Sequence, residues 1–179
     1  MAEAFSNKLT RAAGIVTTSS SGAVGIGTTI ITGISTVGVA VSDLIDNTNF
    51  IAGTKVSAIG ISTVYADRDS TNTAAASAQV FKFLGMTTAY TSAAATKSIL
   101  IGGTFANNTA NSVNLTVEIH DASAGIQAAL ASKIPVPTGS SFVISDAGKT
   151  ILEATDEVRV FCDTANAIDV NLSILTGVS

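Results

Sequence analysis

VNLTVEIH, residues 113–120, alternates strictly between apolar and polar side chains. Alternation with a period of two is the pattern of a β-strand with one buried and one wet face. The apolar positions are Val113, Leu115, Val117 and Ile119. The same pattern returns in residues 158–162 and 168–174, and turn-forming stretches such as NNTAN (107–111) and SDAGKT (145–150) lie between such runs. Short strands separated by turn signals predict an antiparallel β-sandwich, jelly-roll or immunoglobulin-like, over residues 84–179.

A further strand is predicted over residues 126–136, and we expect its apolar parity to face the same core. The residues of that parity are Ile126, Ala128, Leu130, Ile134 and Val136. Proline lacks the N–H that a central strand needs for its ladder. Pro135 and Pro137 therefore predict that this strand ends at a sheet edge.

The pentapeptide GISTV occurs twice, at residues 33–37 and 60–64. In each copy the glycine can bend the chain, and the β-branched residues can continue as a strand. Short runs of Val, Ile and Thr broken by Gly and Asn predict a small β-module over residues 23–83, in which the two copies begin similar strands. The alternative is a chance recurrence in a chain rich in these residue types.

Residues 1–22 are expected to form an extended N-terminal arm and tether. Phe5 and Leu9 are spaced four apart, which is compatible with a short amphipathic helix over residues 3–13. TTSSSG, residues 17–22, has the composition of a flexible linker. We expect Phe5, Leu9 and Arg11 to attach the protein to a partner, and the alternative is a frayed terminus without function.

The composition excludes several classes of protein. The 179 residues are 46% hydrophobic and only 12% charged, with a net charge of −4 and scattered basic residues. Nucleic-acid binding needs a basic stripe, and a membrane-spanning helix needs about 18 apolar residues in a row; neither is present. The N-terminus has no signal-peptide pattern, and the single cysteine cannot form an intrachain disulfide. These features predict a cytoplasmically folded protein whose low-charge surface is covered by neighbouring copies.

The reactive side chains form no catalytic constellation that we can identify. His120, the single histidine, shares the wet face of its strand with Glu118, and a surface histidine is preferred to a metal ligand or proton shuttle. Cys162 shares a parity with Val158 and Val160, which predicts a small buried apolar side chain. We expect no catalytic, cofactor-binding or metal-binding residues.

Two groups of carboxylates have spacings that could serve chemistry. DRDSTN, residues 67–72, resembles a calcium loop but has Asn72 at the sixth position and Ala78 at the twelfth, so a solvated turn is preferred. A polysaccharide hydrolase would need two carboxylates held across a cleft, and the pairs would be Glu118 with Asp121 or Glu153 with Asp156. Nothing in the sequence favours either pair, and we expect the protein not to be an enzyme.

Two parts of the chain resemble virion proteins of tailed bacteriophages. Residues 39–83 are similar to a small β-repeat frequent in virion proteins and fibres, with Gly53, Thr54, Val56 and Ile59 at its recurring positions and Ser42 where the repeat usually has glycine. The start MAEAFSN, with KIPVPTGSS (133–141), GKTILEATDEVRV (148–160) and VNLSIL (170–175), resembles a family of short virion structural proteins of marine phages, including cyanophages. In that family the start runs almost directly into the sandwich, so the β-repeat is expected to be an insertion.

The resemblance implies a structural or accessory component of a tailed-phage virion, assembled in the host cytoplasm without cofactors. The neck or tail is the preferred position and capsid decoration the second. The expected partners are other copies of the chain, in a ring or trimer, and other virion proteins. A receptor-binding or glycan-binding fibre module is the alternative, although 5% aromatic residues and no tryptophan disfavour platforms for sugar stacking.

Overall fold

The computed structural model describes residues 3–145 and 149–178 and is all-β, as predicted. The middle of the predicted turn at 145–150 lies outside the described residues. Within the described ranges no helix occurs, and hence none that could cross a membrane. The strands are β1 (Ala4–Ala13), β2 (Ile15–Ser19), β3 (Ala23–Val24), β4 (Ile30–Thr32), β5 (Leu44–Asp46), β6 (Val56–Gly60), β7 (Thr63–Ala66), β8 (Phe81–Gly85), β9 (Thr87–Thr91), β10 (Lys97–Asn107), β11 (Val113–Asp121), β12 (Ile126–Val136), β13 (Ser141–Ile144), β14 (Thr150–Leu152), β15 (Glu157–Cys162) and β16 (Ile168–Val178).

Residues 1–14 and 87–179 form one compact unit, a sandwich of two antiparallel sheets. The first sheet has the order β1-β16-β10-β13, with β14 also pairing with β10. The second has the order β12-β11-β15-β9. Side chains from both sheets fill one core between them, chiefly Leu100, Phe105, Leu115, Val117, Leu152, Val158, Val160, Leu172 and Ile174. The predicted sandwich is therefore confirmed.

The alternation in β11 and β16 orients these strands as the sequence predicts. Val113, Leu115 and Val117 are fully buried, and Ile119 packs against the core from a partly buried position. All the apolar residues predicted to face inward on β16 are buried as well: Ile168, Val170, Leu172 and Ile174. Each central strand thus contributes one apolar face to the space between the sheets.

The parity prediction for β12 is wrong over its first half. β12 pairs with β11 through two register shifts, each of which inserts one extra residue into β12. The first bulge switches the parity, so that Ala131 is buried opposite Val117, and the second bulge switches it back. Residues 126–130 are all exposed, Ile126 and Leu130 among them. The prediction of a sheet edge is confirmed, because β12 is the terminal strand of its sheet and contains Pro135.

The helix predicted over residues 3–13 is wrong, because Ala4–Ala13 is a strand of the sandwich. β1 pairs with β16 in a continuous antiparallel register from Ala4 opposite Thr176 to Thr10 opposite Val170. This long-range pairing satisfies backbone groups that a free arm would leave to water. The predicted tether is likewise not a separate linker, since Ile15–Ser19 forms β2.

Residues 15–86 form the second compact unit, inserted between β1 and β9. Its boundaries are wider than the predicted 23–83, because β2 pairs with β8 along its whole length. It contains one sheet of order β2-β8-β5 and another of order β3-β4-β7-β6. Its own core is built around three phenylalanines, with the rings of Phe50 and Phe81 and those of Phe81 and Phe83 each 6.5 Å apart.

The two GISTV copies do not begin similar strands. In the second copy Gly60 ends β6, Ile61 and Ser62 form the turn, and Thr63 begins β7. The first copy follows β4 as irregular backbone. The environments are opposite, since Ile34 is 3% exposed and Ile61 is 98% exposed. Identical local sequence therefore takes two structures here, according to what each copy packs against.

Asp43, in the turn before β5, gives the stability of the smaller unit a pH dependence. Its carboxyl is buried and accepts the Ala40 N–H at 2.8 Å. Burial raises the pKa of this carboxyl above its ordinary value of 3.8, against the lowering effect of the hydrogen bond. The folded state thus binds the proton more tightly than the unfolded chain, so the free energy of unfolding falls as pH rises from 3.8 through the folded pKa.

Replacing Asp43 by asparagine is expected to remove this loss of stability while keeping an oxygen that accepts the Ala40 N–H. The test is urea unfolding of wild type and Asp43→Asn across a series of pH values starting below 3.8. We expect the stability of the variant relative to wild type to rise with pH. Parallel curves for the two proteins would show that Asp43 has an ordinary pKa.

Candidate functional site

The side of the first sheet that faces away from the core, here called the outer face, carries a row of apolar side chains. The strand registers place Phe5 opposite Leu175, Leu175 opposite Ile99, and Ile99 opposite Ile151. Directly opposite residues in antiparallel strands point to the same face and lie within contact distance. One apolar row therefore crosses β1, β16, β10 and β14.

Solvent reaches this row most at its two ends. Phe5 is 64% exposed and Ile151 is 60% exposed, while Leu175 and Ile99 between them are partly buried. Single exposed apolar residues are ordinary on a protein surface, but contiguous apolar patches mark sites of association. The strand registers make this row contiguous, so it is a candidate site of association.

A second row crosses the same face nearer the other end of β1. Leu9 lies opposite Asn171, Asn171 opposite Thr104, and Thr104 opposite Val143. Leu9 is 73% exposed, and Val143 is exposed as well. This row is apolar at its ends and polar in its middle, so the outer face mixes hydrophobic contact area with hydrogen-bonding groups.

The Leu9 end of the outer face contains a depression with a hydrogen bond at its border. This depression is shallow, has a volume of about 330 Å³, and lies between Leu9 and Arg11 on one side and Thr104 on the other. The Asp169 carboxylate at its border accepts the Ala12 N–H at 2.8 Å. Arg11, which is exposed, also lines the depression. The depression therefore offers a partner the apolar side chain of Leu9 and two groups of opposite charge, Arg11 and Asp169.

The three residues expected to form an attachment arm lie instead on one exposed face of β1; they are Phe5, Leu9 and Arg11. Sequence reasoning missed the residues that complete the surface, namely Ile99, Val143, Ile151 and Leu175. Leu175 carried a usable signal, because it is apolar on the parity of β16 that otherwise holds Asp169, Asn171 and Ser173. The other three become neighbours only through strand register.

The environment of the histidine differs from the predicted one. Glu118, expected on the wet face of β11, is buried, and it lies opposite Arg159 in register. His120 lies opposite Glu157 and is partly buried. Cys162 is fully buried within the sandwich core, as predicted.

Two of the carboxylates that a hydrolase could have used, Asp121 and Asp156, accept hydrogen bonds in turns. Asp156 is buried and accepts the backbone N–H groups of Ala122 at 3.0 Å and Glu153 at 2.9 Å. Asp121 accepts the Ala124 N–H and the Ser123 hydroxyl, and these hydrogen bonds lower the pKa of its carboxyl. Among residues 3–145 and 149–178, no cluster of three or more His, Cys, Asp or Glu side chains could hold a metal ion.

No protein-family model matches the chain, and neither a curated protein nor a solved structure matches it. The function of the outer face is therefore inferred from the contacts, exposure and charge of its residues.

Proposed function

We propose that the protein is a structural component of a tailed-bacteriophage particle, at the neck or tail, and that it acts by association with copies of itself and with other virion proteins. The observation that carries the proposal is the apolar row from Phe5 to Ile151 on the outer face. The resemblance of the sequence to virion proteins is the reason for proposing a phage particle as the location. The proposal needs no cofactor and no chemical step.

Association through the outer face has a simple physical basis. Burying apolar surface is worth about 25 cal/mol per Å², and stable interfaces bury roughly 1,200–2,000 Å² in total. A low-charge surface, with 12% charged residues in the chain, reduces the desolvation cost of such contact. A sheet face is also rigid, so little conformational entropy is lost when it is covered.

The location of the attachment residues changes how attachment should be tested. Because β1 belongs to the sandwich, deleting it would expose the edge of β16 and part of the core. A truncated protein that fails to assemble would then report folding and not attachment. Surface substitutions on the outer face separate the two.

Replacing Ile151 by glutamate is expected to weaken self-association by about 100-fold without changing the free energy of unfolding, because a charge placed in an apolar contact must be desolvated. The matched control is Ile126→Glu, which makes the same change at a site on the second sheet. Ile126 is 62% exposed and Ile151 is 60% exposed. Sedimentation equilibrium measures both variants, and an equal effect of the two would remove the outer face from the interface.

The proposed location in a phage particle is tested on purified particles of the phage that encodes the protein. Quantitative mass spectrometry should detect the chain as a stoichiometric component, and antibody labelling in electron micrographs should place it. Labels at the neck or tail support the proposal, while labels spread over the head would indicate capsid decoration. Absence from washed particles would contradict the proposed function.

A further inference from the structure

β1 has one unpaired edge. It is the terminal strand of its sheet, and within the described residues it pairs only with β16. A strand of ten residues at an edge presents a row of backbone N–H and C=O groups that a further strand can pair with. Such edges in natural proteins are usually blocked by proline, bulges or charged side chains.

The two edges β12 and β1 differ in this protection. β12 has two register shifts, carries Pro135, and holds Lys133 at a φ of 49°. β1 contains no proline, and its pairing with β16 is regular from Ala4 to Thr10. Its one irregularity lies between Thr10 and Ala13. The open edge of β1 is therefore regular from Ala4 to Thr10, and Arg11 lies in the irregular part that follows.

The sequence of β1 is complementary to itself in one antiparallel register. With Asn7 opposite the partner's Asn7, Phe5 lies opposite Leu9 of the partner subunit and Glu3 lies opposite the partner's Arg11. All of these side chains are exposed, and those on β1 share the outer face. Cross-strand apolar pairs and opposite-charge pairs are the contacts that stabilise a sheet. A two-fold axis at Asn7 generates each pair twice.

The neighbouring registers that keep both outer faces on one side lose these contacts. A shift of the axis to Lys8 places Lys8 opposite the partner's Lys8 and Phe5 opposite the partner's Arg11. A shift to Ser6 places Leu9 opposite the partner's Glu3 and Phe5 opposite the partner's Asn7. Like charges directly opposite destabilise a sheet, and unmatched apolar residues add nothing. The axis at Asn7 is thus specified by charge and by apolar pairing together.

We propose that β1 pairs with β1 of a second copy across a two-fold axis at Asn7. The two first sheets then form one continuous sheet, and the apolar rows of both copies adjoin where Phe5 meets the partner's Leu9. The inference rests on the proposed function, for which it names the partner and the geometry. It makes a two-fold dimer, in place of a ring or trimer of single chains, the unit from which any larger assembly is built.

The register is tested by oxidative cross-linking of the full-length protein in solution. Asn7→Cys places a thiol next to its own symmetry mate, within the distance that a disulfide requires. Leu9→Cys is the matched control, because it lies on the same face of β1 but opposite Phe5 of the partner subunit. The native Cys162 is fully buried and does not compete.

We expect most Asn7→Cys chains to migrate as disulfide-linked dimers after mild oxidation, and Leu9→Cys chains to remain at the background level of wild type. Equal cross-linking of the two variants, or none in Asn7→Cys, would overturn the proposed register. Circular dichroism of both reduced variants verifies that they are folded.

The charge pairing is tested by exchange. Glu3→Arg places a positive charge opposite the partner's Arg11, once on each side of the axis. This repulsion should raise the dimer Kd about 10-fold. The double variant Glu3→Arg with Arg11→Glu restores opposite charges and should return the Kd to near the wild-type value. Failure of the second change to restore the Kd would overturn the pairing of residues 3 and 11.

These solution experiments are independent of the particle. Cross-linked Asn7→Cys dimers of a protein absent from virions would uphold the strand pairing and refute the proposed function. A protein present in virions without that cross-link would uphold the function and refute the pairing.

Discussion

Gly14→Ala lowers the free energy of unfolding of the sandwich by about 2–6 kcal/mol, the sum of a backbone and a packing cost. Gly14 follows β1 at a φ of +121°, which L side chains rarely adopt. A Cβ at this position would collide with the carbonyl oxygen of Thr164 and approach the Cβ of Cys162 to 3.2 Å. The Gly14 carbonyl also accepts the Asn166 N–H at 2.9 Å, so the backbone cannot move away without losing that bond.

Gly139→Ala is the control for this substitution. Gly139 also has a positive φ, of +67°, but a Cβ there would meet no atom within 4 Å. It should therefore show only the backbone cost, about 1–2 kcal/mol. Urea unfolding measures both variants, and equal losses would show that the contact with Thr164 does not constrain Gly14.

Leu115→Ala lowers the free energy of unfolding by about 3–5 kcal/mol. Leu115 is fully buried on β11, between Ile134 of β12 and Cys162 of β15 in register. A central strand held on both sides cannot collapse into the space that the leucine leaves, so most of the cavity remains. Thermal and urea unfolding measure the loss.

Leu130→Ala is the matched control for Leu115→Ala. Leu130 belongs to the predicted apolar parity of β12, but the bulges leave it exposed. Because Leu130 is 39% exposed, its truncation should cost only about 1–2 kcal/mol, less than that of the fully buried Leu115. A large loss at Leu130 would mean that β12 is regular and that the predicted parity holds after all.

The two strands with uninterrupted alternation, β11 and β16, are the parts of the fold that the sequence predicts best. Their side chains face one core and repeat every two residues, so local pattern and final burial agree. In β12, alternation in the sequence does not predict which side chains are buried. A bulge depends on the partner strand, and no residue near Lys133 marks the two extra positions in the sequence.

β1 could not be assigned from local sequence because its pattern fits two structures. Residues four apart, such as Phe5 and Leu9, share one face of a helix and also one face of a strand. The choice is made by pairing with Ile168–Val178, which is distant in sequence. Tertiary context of this kind commonly overrides local propensity.

The candidate site was predictable in part. The sequence pointed to Phe5, Leu9 and Arg11, and all three are exposed on β1, while their role in attachment remains a prediction. Ile99 and Ile151 could not be identified from the sequence. Each lies in a run of apolar residues, and only the strand register shows which member of the run is exposed. The self-complementarity of β1 likewise has meaning only after the strand is seen at a sheet edge.

Sedimentation equilibrium of the wild-type protein from about 1 to 100 μM is the most direct measurement of whether the outer face and the β1 edge join copies of this chain. The predicted result is a concentration-dependent rise from the 17.9 kDa monomer to a dimer or an even-numbered oligomer. A single 17.9 kDa species at every concentration would contradict self-association as the basis of function.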